Sequence, residues 1–108
     1  MPDSSPVATA AEELSRVRDR VASRLRSMPL ENIPENRVLA VGQALADLAA
    51  TAAAERVRVV PRLAPYAAAD QITVLTGEVL SAVHRSPAEG AALAEQARYL
   101  LADLRSSL

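Results

Sequence analysis

The chain has no cysteine, lysine, phenylalanine or tryptophan, its aromatic content is 2%, and all 12 basic residues are arginine. Without cysteine there are no disulfides, thiolate metal sites or thiol nucleophiles, and the redox compartment stays open. Without aromatic bulk and with few β-branched residues, the faces of a sandwich or barrel could not be filled. No run approaches the 18 or so apolar residues of a membrane-spanning helix, and the N-terminus lacks the charged start and apolar stretch of a secretory signal. Net charge is −1, from 12 basic and 13 acidic residues, so no global field gathers nucleic acid or an anionic membrane.

What is present is alanine, leucine and valine in a chain of 108 residues that is 50% hydrophobic. Alanine is the strongest helix former and lets backbones approach closely. The length suits one domain, because either half alone would be too small to bury a core. The expected fold is all-α, an antiparallel four-helix bundle with short connections over residues 9–108, preceded by an unstructured leader over residues 1–8. A cytoplasmic protein follows from the missing signal and span.

The first helix is expected to open near Thr9, where Thr9 and Glu12 have capping-box spacing, or earlier with Ser5 as cap and Pro6 in the first turn. Leu14, Val17, Val21, Leu25 and Met28 place its apolar stripe at steps of three and four. Pro29 and Pro34 bracket an ordered connection. The second helix is read as continuous from residue 34 to 59, because Asn36, Arg37, Gln43, Asp47, Thr51, Glu55 and Arg58 fall in one wedge at 100° per residue. That makes it the longest helix, and its wide apolar surface makes it the central one, although Arg56 to Val60 taken alone alternates like a strand. Pro61 and Pro65 end it. A third helix, with Asp70 as its expected cap, carries Ile72, Leu75, Val79, Ala82 and Val83. Ser86, Pro87 and Glu89 then predict a serine-capped fourth helix with Leu93, Ala97, Leu100, Leu101 and Leu104 on one face.

No catalytic residue, cofactor site or metal site is assigned. His84 is the one histidine, Glu78 and Glu89 lie on other helical phases, and Ser81 has no carboxylate to orient an imidazole beside it. Arg16, Arg20 and Arg24 form a basic flank on the first helix, offset by Glu12, Glu13 and Asp19. With no lysine, glycine-rich loop or stacking platform alongside, that flank reads as a solvated face and nucleic acid is not expected as a partner.

Arg56 projects by phase toward the middle of the apolar stripe of the second helix. A charge there must snorkel, pair with a carboxylate, or line a cavity that holds an anion, which makes it the candidate anion-binding residue. Tyr99, Val74, Leu39 and Val57 are the candidate interface residues, apolar or aromatic side chains with no evident place in a monomeric core. The spacing of Tyr99 and Asp103, repeated by Tyr66 and Asp70, resembles the export signal of small helical type VII secretion substrates. The likeness spans five residues, and the Trp-x-Gly turn of the best-known such family has no counterpart here.

These features point to a small helical interaction module, regulatory or scaffolding, that acts through an apolar helical face as a homodimer. The alternative is a small all-α enzyme or anionic-ligand binder with an arginine-lined site at a helix or dimer interface.

Overall fold

The computed structural model describes residues 5–108 and contains four α-helices: α1 (Pro6–Ser27), α2 (Glu35–Ala52), α3 (Ala68–Arg85) and α4 (Pro87–Ser106). All the secondary structure among the described residues is helical, with single 3-10 turns at Leu30–Asn32 and Pro65–Ala67. No helix among them is long and apolar enough to cross a membrane.

α1 takes the earlier of its two expected starts. The Ser5 hydroxyl accepts the Ala8 N–H at 3.0 Å and Pro6 occupies the first turn, where its missing donor costs nothing. Residues 6–8 of the expected leader are therefore helical, while residues 1–4 lie outside the described residues. α4 starts at Pro87 as the Ser86-Pro87 pair predicts, but the Ser86 side chain makes no capping bond; its carbonyl accepts the Glu89 N–H instead. Asp70 lies inside the first turn of α3 rather than at its cap, and pairs with Arg26 of α1.

The apolar stripes converge on one core. Leu14, Val21, Leu45, Ile72, Val79, Val83, Leu101 and Leu104 are fully buried, and Thr76 among them satisfies its hydroxyl on the Ile72 carbonyl at 2.8 Å. At about 25 cal/mol per Å² of apolar surface removed from water, each such leucine or valine contributes roughly 1.5–3 kcal/mol.

Helix directions are mixed, which corrects the expected all-antiparallel arrangement. Val7 at the start of α1 lies against Gly90 at the start of α4, and Arg24 near the end of α1 donates to a main-chain oxygen of Leu108 at 3.1 Å, so α1 and α4 run the same way. Val38 and Leu39 of α2 meet Ala68 and Gln71 of α3, whereas Ala49 and Ala50 meet Ser81 and Arg85, so α2 and α3 also run the same way. Arg26 reaches Asp70 across an opposed α1/α3 pair, and Leu48 and Thr51 face Glu89 and Leu93 across an opposed α2/α4 pair. The order is up, down, down, up. α3 and α4 form the centre, with α1 and α2 on opposite sides and scarcely touching, so α2 is not the central helix.

Nor is α2 the longest, at 18 residues against 22 for α1 and 20 for α4. It stops at Ala52 in a Schellman turn: the Glu55 N–H donates to the Ala50 carbonyl at 2.8 Å and the Ala54 N–H to the Thr51 carbonyl at 3.2 Å. Ala54 takes the left-handed position at φ 55°, where glycine is usual. The physical reason for the early stop is the length of the neighbour. α3 also has 18 residues, its last turn stands beside the last turn of α2, and a longer α2 would project into water with no helix to cover it.

Replacing Ala54 by glycine removes the left-handed penalty of about 1 kcal/mol. Ala54→Gly is expected to raise the thermal midpoint by about 4–8 °C, read by circular dichroism. Glycines at two helical positions give opposite outcomes. A Cβ at Gly77 meets nothing within 4 Å, so Gly77→Ala should stabilise by about 1 kcal/mol from helix propensity. A Cβ at Gly90 would sit 2.7 Å from the Val83 carbonyl oxygen in the tight α3/α4 hairpin, so Gly90→Ala should destabilise by about 1–3 kcal/mol in urea unfolding.

Candidate functional site

Residues 55–64 run extended along α2 in the direction opposite to it, forming a strap back to the start of α3. Its local alternation, Arg56-Val57-Arg58-Val59-Val60, favours extended backbone, and Pro61 and Pro65 keep Val60 and Ala64 out of helical conformation. No ladder partner exists among the described residues; side chains hold the strap instead. Gln43 Nε2 donates to the Arg58 carbonyl at 2.9 Å and to Asp47 Oδ1 at 2.8 Å, while its Oε1 accepts the Val60 N–H at 2.8 Å. One amide thus does for Arg58 and Val60 what a neighbouring strand would do, and Val60 is buried beneath it. Gln71 Nε2 donates to the Pro61 carbonyl at 2.9 Å, Arg62 to Asn36 Oδ1 at 2.7 Å, and Arg58 pairs with Glu78 of α3.

Fastening the strap by its backbone leaves apolar side chains outside. Val59 is 88% exposed, Val74 63% and Leu63 45%, and the three line one groove of about 320 Å³ between strap and α3. Arg58 and Asp70 also line this groove, each already paired, with Glu78 and Arg26 respectively. Of the four candidate interface residues, Val74 is in the groove. Val57 is on the strap and half exposed but does not line it. Leu39 is half buried under the strap's far end, beside Leu63 and Pro65. Tyr99 is 75% exposed on α4 and takes no part, with Asp103 likewise exposed one turn on. Val59 went unnoticed in the sequence because the helical reading placed it in the last turn of α2.

Arg56 does not enter an apolar stripe, since the helix that would have put it there has ended. It is exposed on the strap and lines a cleft of about 450 Å³ with Arg58, Arg85, Ser81, Glu55 and Glu78. Two of the three arginine charges in that cleft are matched by its two glutamates, so it is close to electrically balanced. His84 is exposed in the last turn of α3. The basic flank of α1 is partly neutralised, Arg16 by Glu12 at 2.8 Å. Arg98 of α4 is held protonated above its ordinary value, first by its hydrogen bond to Glu95 and then by the same carboxylate's charge.

Comparison with known proteins returns no match: no family model fits the chain, and no curated protein or solved structure is similar to it.

Gln43→Ala removes both strap bonds and leaves the Val60 N–H without a partner in a partly buried setting. A loss of about 1–3 kcal/mol in urea unfolding is expected, with faster hydrogen exchange at Val60 than in the core of α3. An unchanged midpoint and unchanged exchange at Val60 would show that the amide does not hold the strap.

Proposed function

We propose that the protein is a small helical interaction module that pairs with a second copy of itself through the strap and α3. The observation that carries this reading is the groove of Val59, Leu63 and Val74, three large apolar side chains exposed side by side where a monomer gains nothing from them. A twofold axis across the groove sets Val59, the most prominent side chain, in the partner's groove, while Arg58 and Asp70 keep Glu78 and Arg26 of their own copy. The groove would supply the apolar centre of the interface and Arg58, Asp70 and Gln71 its polar rim. A cytoplasmic location and a regulatory or scaffolding role belong to the same proposal. The alternative reading, an anionic-ligand binder, draws its support from the arginine-lined clefts and not from any nucleophile or acid–base pair.

Sedimentation velocity tests it. The chain is expected to sediment as a dimer at high micromolar concentration, and Val59→Glu or Val74→Glu should weaken dimerisation by about tenfold or more while leaving helicity and thermal midpoint nearly unchanged, since both positions are exposed in the monomer. A strict monomer at that concentration, or a dimer indifferent to both substitutions, removes the reading.

A further inference from the structure

The strap is where the folded chain is open to attack. Ala54, Glu55, Arg56, Val57, Arg58 and Val59 are exposed in succession, and every arginine outside the strap lies in an α-helix. An endoprotease takes its substrate as an extended strand and pairs with its backbone, a shape that helical residues reach only by unfolding and that residues 55–64 already hold. With no lysine in the chain, a protease that reads a long cationic side chain has only arginines to choose from, and Arg56, Arg58 and Arg62 are the ones on the strap.

These arginines are not equally free. Arg58 pairs with Glu78, and its carbonyl, the group a nucleophile would attack, accepts from Gln43 at 2.9 Å. Arg62 donates to Asn36 at 2.7 Å, and the carbonyl of Pro61 before it is held by Gln71. The Arg56 side chain makes no ion pair or hydrogen bond among the described residues, and the amide joining Arg56 to Val57 is equally free. Upstream, a protease must straighten the turn that ends α2, which breaks the bonds from Ala54 and Glu55 but releases Ala54 from its left-handed conformation. Downstream, the Gln43 bond to the Arg58 carbonyl is the first clasp to open.

We infer that the peptide bond between Arg56 and Val57 is the site where a trypsin-like serine protease cuts the folded chain, and that this cut turns self-pairing off. Water supplies a hydroxyl to the Arg56 carbonyl carbon, the bond to the Val57 nitrogen breaks, and that nitrogen takes the proton, leaving a carboxylate on Arg56 and an ammonium on Val57. The bundle survives the cut. Leu14, Val21 and Leu45 before it share one core with Ile72, Val79, Leu101 and Leu104 after it, so the two pieces stay together. Val59 becomes the third residue of a free end, where chains fray unless tied down, and loses the fixed position from which it enters the partner's groove. Val57 does not line that groove, so the bond is reachable in the paired chain too. The switch rests on the self-pairing proposed above; the cutting site does not.

Limited digestion of the full chain with a catalytic trace of trypsin, followed by intact-mass measurement, tests the site. The first cut that separates two helices is expected after Arg56, giving fragments 1–56 and 57–108 that co-elute in size exclusion with the helicity of the whole chain. Arg56→Gln should slow that first cut by about tenfold or more, whereas Gln43→Ala, which opens the strap more often, should speed it several-fold. Sedimentation velocity of the nicked protein should show self-pairing weakened by about tenfold or more. A first cut elsewhere, or one as fast in Arg56→Gln, overturns the site; a nicked chain that pairs as tightly as the whole one overturns the switch. An uncut chain that never pairs removes the reading on which the switch rests, and the fragment masses still decide the site.

Discussion

The architecture depends on one constraint of length: after α2 ends, the chain must travel the whole of that helix again before α3 can begin beside it in the same direction. The 18 residues of α2 span roughly 27 Å at about 1.5 Å per residue, and a helical return would need as many again. Extended backbone covers the distance in about ten residues at roughly 3.3 Å each, which is what residues 55–64 do. Every direction downstream follows. α3 descends with α2, the Ser86 hinge turns α4 upward, and α4 therefore lies parallel to α1. Had the connection been a short loop, α3 would have opposed α2 and α4 would have opposed α1.

An extended return carries a cost that the sequence meets in an unusual way. A single strand on a helical surface exposes backbone donors and acceptors on both edges, and an isolated strand has no ladder. Gln43 closes the inner edge with one amide, aided by Gln71, and the prolines at 61 and 65 remove two donors outright. The outer edge and its valines stay in water. The groove is thus a by-product of how the strap is fastened: the side that bonds α2 takes Val60, and the alternation of an extended chain sends Val59 the other way.

The buried stripes of α1, α3 and α4 were legible because period and burial agree there. Leu14, Val21, Ile72, Val79, Leu101 and Leu104 are all fully buried where the spacing puts them. α2 misled for a specific reason. Its polar wedge stays in phase past Ala52 by coincidence, and the residue that stops it is Ala54, which carries no sequence signal for a left-handed turn. The strand-like alternation of Arg56 to Val60 was the true local preference, outweighed because no partner strand was in view, whereas a glutamine side chain turned out to serve. The fate of Arg56 followed from that one boundary, since a residue placed by helical phase has no meaning once the helix is over.

The α1/α4 cleft shows how a cluster of arginines can be invisible in each helix and present between them. On α1 alone, Arg20 and Arg24 read as a solvated flank with Asp19 and Glu12 nearby to balance them; on α4, Arg98 has Glu95 and Arg105 suits the negative end of the helix dipole. Each helix is electrostatically sensible by itself. Under the up-down-up-down order, Arg24 would have stood near the start of α4, beside Glu89, and Arg105 near the start of α1, so the two groups would never have met. It is the parallel pairing, imposed from the far side of the molecule by the strap, that superposes their basic ends and brings Arg24 within reach of Leu108.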